Sequence, residues 1–233
     1  MMKNEKNKLS KPKQTFRNLT AEKRRLIEKV LVEEFAREGY RRASLNNVVK
    51  RLGIAKGSLY QYFDNKEAIF LFVFERFTRL VKSMVGKPSA ADSRPENFWQ
   101  TVRRVWVAGI VFIDKYPAYY QLYLNALFEQ DIPRREEIIS RVRLFSMEFF
   151  GPLVAAARER GGLRPDVPLS VVVFMIDAAM DRFLQSYARS YLDDGLELAA
   201  ADRARAEARM DTIIETLKNG IAYNQRQDRV RCR

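Results

Sequence analysis

Apolar residues return every three or four positions through most of this chain, and no stretch alternates long enough to predict a strand. Ile27, Val30, Leu31 and Phe35 make one such stripe, which predicts a helix over 20–38 with Thr20 as its side-chain cap and Glu22 in its first turn. Gly39 supplies a left-handed stop, and Tyr40 falls where it can pack back on Phe35. Leu45, Val48, Val49 and Leu52 repeat the pattern behind Ser44, which caps a second helix that Gly53 ends. Gly53, Ile54 and Ala55 alone separate it from a short third helix over 56–63. Asn65 then caps a fourth, which carries Ile69, Phe70, Val73, Phe77, Leu80 and Met84 inward until about residue 85.

The segment 86–97 reads as a linker from its Gly, Pro, Ser and Asp content. Beyond it the helical pattern predicts elements over 96–116, 118–128, 133–160, 168–191 and 199–223, with Pro117, Pro133 and Pro168 at starts and Gly161, Gly162 and Gly195 at stops. The expected fold is all-α, with about nine helices: an N-terminal three-helix domain followed by a larger helical domain. Two short helices joined by a three-residue turn containing Gly make a helix-turn-helix. The expected divisions are a flexible basic arm (1–18), the helix-turn-helix domain (19–66), a connecting helix (67–85), the linker (86–97), a helical body (98–226) and a basic tail (227–233).

Charge sharpens this division. Residues 1–66 hold 17 Lys/Arg against 7 Asp/Glu, whereas 67–233 hold 25 against 22, so the net charge of +13 sits largely at the N-terminal end. That asymmetry calls for a polyanionic partner, a nucleic acid or an anionic membrane surface. Histidine is absent and the single cysteine is Cys232, which argues against an imidazole base or ligand, a Cys-rich zinc site and an internal disulfide; no cofactor is expected. No apolar run has the length of a membrane span or a signal peptide, so a cytoplasmic location without membrane attachment is expected. The run GIAKGS is not a phosphate loop, because Ser58 follows Gly57 directly, and no other catalytic motif is present; an enzyme is not expected.

On a wheel of the third helix, Leu59 and Phe63 share one face and can pack on Val49 and Ile54. Gly57, Tyr60 and Gln61 share the opposite side, flanked by Lys56 and Ser58. Gly57 lets a partner come close to the backbone, offsetting a helix penalty of about 1 kcal/mol relative to Ala. The hydroxyls of Tyr60 and Tyr62 can bond phosphate oxygens, and Gln61 has the paired donor and acceptor that suit an adenine edge. Lys66, at the positive end of the fourth helix, can hold a further phosphate.

The run FAREGYRRASLNNVVKRLGIAKGSLYQYFDNKEAIF closely resembles the DNA-binding signature of the tetracycline-repressor (TetR) family of bacterial regulators, at Phe35, Gly39, Tyr40, Ser44, Gly53, Lys56, Gly57, Leu59, Tyr60, Tyr62, Phe63 and Lys66. The resemblance covers about 50 residues. It implies a repressor that binds a palindromic double-stranded operator as a homodimer, with Ser44, Lys56, Ser58, Tyr60, Gln61, Tyr62 and Lys66 lining the DNA. Ala55 departs from the pattern, because such sequences usually place a capping Ser or Thr there. An architectural protein with little sequence preference is the alternative, since it would share the basic arm.

Two apolar faces in the last helices suit a two-fold interface: Phe174, Ala178 and Phe183 on one, and Met210, Ile213, Ile214, Leu217 and Ile221 on the other. Large rings, among them Trp106, Tyr119, Tyr123 and Phe149, suit an apolar cavity for a small apolar or aromatic effector. Arg103, Asn125, Asp177 and Asp181 are the expected polar anchors within it.

Overall fold

A computed structural model describes residues 11–193, 195–198 and 201–221, with 144, 145 and 221 described by their backbone alone. The first ten residues of the expected arm and the tail 227–233 lie outside these. The described residues form α1 (Gln14–Arg17), α2 (Ala21–Arg42), α3 (Leu45–Leu52), α4 (Lys56–Tyr62), α5 (Lys66–Val85), α6 (Pro95–Lys115), α7 (Pro117–Phe128), α8 (Arg135–Glu159), α9 (Leu169–Ala188), a 3-10 turn (Ser190–Leu192) and α10 (Arg203–Ile221). The all-α reading holds, with α1 as an additional helix. The arm is therefore ordered at its end: Phe16 of α1 is only 2% exposed and its ring meets Tyr62, Phe63 and Phe72. A four-residue helix is too short to show a period.

The chain divides into two compact units, Met1–Ser83 with Phe112–Ser140, and Met84–Val111 with Arg141–Arg233. The expected body over 98–226 is thus not one block, since 112–140 joins the N-terminal helices. In the first unit α2, α3, α4 and α5 bury Ile27, Leu31, Phe35, Val48, Leu59, Phe63, Ile69, Phe70 and Phe74. Each large apolar side chain removed from water contributes roughly 1.5–3 kcal/mol. Thr20 Oγ1 accepts from Lys23 N, Ser44 Oγ from Asn47 N and Asn65 Oδ1 from Ala68 N, so the three side-chain caps form as the sequence predicts. Residues 69–74 of α5 are buried on all sides, because Phe72 packs on Phe16 and Phe63 while Phe70 packs on Phe35 and Tyr40.

Helix α7 packs on α2 within this unit. Asn125 Nδ2 donates to the carbonyls of Phe35 and Ala36, both at 3.1 Å, and Glu129 Oε2 accepts from Tyr40 N at 3.2 Å. These contacts meet a kink in α2, where Gly39 leaves helical geometry at φ 70° and ψ 177°. Tyr40 turns back to stack on Phe35, with ring centroids 6.3 Å apart.

The second unit buries Phe98, Val102, Trp106 and Ile110 of α6, Phe150, Leu153, Val154 and Ala157 of α8, Val172, Val173, Ile176 and Phe183 of α9, and Ala206, Met210 and Ile214 of α10. The segment that composition marks as a linker is tied down. Asp92 accepts from Ser89 N, Ser89 Oγ, Thr101 Oγ1 and Arg104, and the bond from the Ser89 backbone is the chief cause holding its carboxyl below the usual range. Arg160 donates to Ala90 O and Ser93 Oγ, and α6 already begins at Pro95.

Candidate nucleic-acid interface

Helices α3 and α4 meet through the turn Gly53–Ile54–Ala55, in which Gly53 adopts the left-handed conformation (φ 63°, ψ 33°) that ends α3. The amide of Ile54 then donates to Val49 O at 3.1 Å, closing the turn against the helix it leaves. Ala55 provides no side-chain cap for α4. The start of α3 is held from behind by Glu34, which is 1% exposed and accepts from Ser44 N at 2.9 Å and from Arg37 Nη2 at 2.9 Å. Glu34 escaped the sequence reading, although a signal was there: it lies on the stripe of Ile27, Val30 and Leu31, where a carboxylate must find donors.

The exposed face of α4 is the one its helical wheel predicts. Lys56, Gly57, Tyr60 and Gln61 are exposed, Ser58 is half-buried, and Leu59 and Phe63 are buried. Apart from its chain neighbours and its own helix's backbone, no described residue lies within 4 Å of where a Gly57 Cβ would be, so no packing contact among the described residues demands glycine there.

Two of the expected contacts are also engaged within the chain. Tyr62 is only 8% exposed, with its ring on Phe16 in an edge-to-face arrangement, so it serves packing first. Lys66 Nζ donates to Arg41 O at 3.1 Å and lies over the Tyr40 ring at 5.1 Å, and desolvation lowers its pKa. It ties the start of α5 to the end of α2. Ser44 is half-buried, with its hydroxyl spent on the cap of α3.

The residues expected to line an effector cavity are distributed between the two units. Tyr119, Tyr123 and Asn125 belong to the first, and Arg103, Trp106, Phe149, Asp177 and Asp181 to the second. All four polar anchors are engaged within the chain. Arg103 pairs with Asp211 and Glu207, Asp177 and Asp181 pair with Arg143, and Asn125 holds α2 at Phe35 O and Ala36 O. Burial, then the charge of Glu28, pushes the Tyr119 phenol up to about 12. Trp106 is fully buried beside Phe183, and its Nε1 has no hydrogen-bond partner among the described residues. Phe149 packs edge-on against Phe150.

Of the expected interface residues, Phe183, Met210 and Ile214 are buried inside the protomer, where Phe183 meets Trp106. Ile213 and Leu217 are half-buried, Phe174 and Ala178 are exposed, and the Ile221 side chain lies outside the described residues. Val171 and Met175 are exposed beside Phe174, which is 69% exposed. Among the described residues there is no metal-holding cluster of His, Cys, Asp or Glu, and no helix is long and apolar enough to cross a membrane.

A capped, tightly packed helix pair that presents a short, polar and cationic second helix defines a helix-turn-helix DNA-binding protein. Residues 28–73 match the family described as bacterial regulatory proteins, tetR family. The chain is 23% identical over 160 residues to the probable acrEF/envCD operon repressor of Escherichia coli, covering 67% of this chain and 71% of that protein. It is 30% identical over 94 residues to the HTH-type transcriptional regulator YhgD of Bacillus subtilis, covering 40% of this chain and 48% of that one. Among solved structures, a TetR family transcriptional regulator from Chloroflexus aurantiacus superposes with a TM-score of 0.69 at 26% identity, covering 91% of this chain and 99% of that one. The DNA-binding region at residues 28–73 is of the TetR type, the whole chain is similar to TetR family regulators, and the protein is a DNA-binding transcriptional regulator.

Proposed function

We propose that this regulator acts as a homodimeric repressor that reads a palindromic operator with α4 and is released by a small apolar or aromatic effector. The face of α4 carries the reading: Lys56, Gly57, Tyr60 and Gln61 are exposed together on a helix whose other side is fully packed. Lys56 and the Tyr60 hydroxyl contact phosphates, Gln61 reads a base edge, and the bare backbone at Gly57 allows close approach. Half-buried Ser44, Ser58 and Lys66 and buried Tyr62 support that face.

Val171, Phe174, Met175 and Ala178 recur at i, i+3, i+4 and i+7 on α9 and are all exposed. Such a stripe suits a self-complementary interface with a second copy. The buried Trp106 Nε1, unpartnered among the described residues, suits an effector that brings a hydrogen-bond acceptor into the second unit. Tenfold release from the operator requires about 1.4 kcal/mol of coupling between the two ligands.

Competition between a duplex selected by the protein from a random library and unselected DNA, at fixed salt, tests the reading. Gln61→Ala relaxes base preference, whereas Lys56→Ala weakens all sequences alike and lowers the salt slope by about one. Equal binding to both duplexes by the wild type points instead to an architectural protein.

A further inference from the structure

Helix α4 is seven residues long, and its last carbonyls are taken by the segment that precedes α2. Lys13 N donates to Tyr62 O at 2.9 Å, Lys13 Nζ to Tyr60 O at 3.0 Å, and Thr15 Oγ1 to Gln61 O. Leu59 O accepts from Phe63 N at 3.0 Å. The last four carbonyls of an α-helix find no partner inside it; here each of the four has one, and residues 13 and 15 supply three. Lys13 Nζ also pairs with Asp64 Oδ1 at 2.9 Å, which fixes its charge at the negative end of the helix dipole. Phe16, wedged against Tyr62, Phe63 and Phe72, anchors the segment that carries both donors.

The helix needs this support. Its N-terminus has no side-chain cap, because Ala55 stands there. Gly57 costs about 1 kcal/mol relative to Ala. Isolated helices shorter than about 12–15 residues are marginal even with favourable sequences. Leu59 and Tyr62 pack one side, but packing alone would leave the carbonyls of Tyr60, Gln61 and Tyr62 without partners.

We propose that Lys13 and Thr15 are positioning residues for DNA reading, closing the C-terminal end of α4 so that Tyr60 and Gln61 are held in their reading geometry. They act through α4 and not on DNA. The proposal rests on the reading of α4 as the recognition helix.

The test uses the full-length protein and a duplex selected by the wild type from a random-sequence library. Thr15→Val keeps shape and charge but removes the donor. It weakens binding to the selected duplex about fivefold, leaves the salt slope unchanged, and speeds amide exchange in α4 while exchange in α9 stays as in the wild type. Thr15→Ser restores both readouts. Lys13→Gln gives a similar loss, again without a change in salt slope. A slope lowered by about one for Lys13→Gln, with Thr15→Val silent, makes Lys13 a direct phosphate contact and overturns the proposal. Wild-type binding and exchange for Thr15→Val, with Gln61→Ala impaired, overturns the cap but leaves α4 as the reader. Gln61→Ala without effect overturns the reading on which both rest.

Discussion

Replacing Gly39 by alanine probes the kink that delivers α3 and α4 to their places. At φ 70° and ψ 177° Gly39 occupies a region that is essentially confined to glycine, and holding alanine there costs about 1–3 kcal/mol. A Cβ at this position would also lie 2.3 Å from Glu129 Oε1 and 2.6 Å from Oε2. The carboxylate must swing away and give up its bond from Tyr40 N, which adds about 1 kcal/mol. The combined loss is about 2–4 kcal/mol. Urea unfolding of the full chain at fixed protein concentration measures it, as a midpoint lowered by about 1 M. Glu129→Ala removes the obstacle, so Gly39→Ala in that background costs the backbone part alone, and a double-mutant cycle gives a coupling of about 1 kcal/mol. Affinity for the selected duplex falls as well, because Arg41 O, just past the kink, holds Lys66. A loss below about 0.5 kcal/mol with no coupling to Glu129 would refute both the strain and the clamp.

Glu34→Ala strands the amide of half-buried Ser44 and destabilises the first unit by about 1–3 kcal/mol; Glu34→Gln, which keeps an acceptor, is milder, and thermal denaturation of the pair checks the order. In the proposed homodimer, Phe174→Asp places a charge in the exposed stripe of α9 and yields monomers in sedimentation velocity, whereas Tyr191→Asp, at another exposed ring, leaves association as in the wild type. Tyr119 favours its neutral form in the folded chain, since its pKa is raised from 10.0 to about 12. The unfolded chain therefore releases this proton first, and wild-type stability falls across pH 10–12 relative to Tyr119→Phe. Parallel pH dependence in the two proteins would show that the phenol is not the group responsible.

Local order was legible from residues alone. The three- and four-residue recurrence of apolar positions set where helices form, and Thr20, Ser44, Gly53 and Asn65 marked their ends, because caps and periodicity act within one or two turns of the same segment. For the same reason the wheel of α4 separated Leu59 and Phe63 from Lys56, Gly57, Tyr60 and Gln61. Tertiary structure decided what those helices meet. Asn125 finds Phe35 O across 90 positions, and Glu129 finds Tyr40 N across 89, so α7 joins the DNA-binding helices instead of the body. Arg103, Asp177 and Asp181 looked like free anchors until ion pairs from other helices claimed them. Phe16, Lys13 and Thr15 carried no period at all, and their meaning depends on the rings of Tyr62, Phe63 and Phe72 and on three carbonyls, those of Tyr60, Gln61 and Tyr62, that only the folded chain brings within reach. Periodicity reports on neighbours along a helix; which donor reaches which distant acceptor is settled when the helices pack.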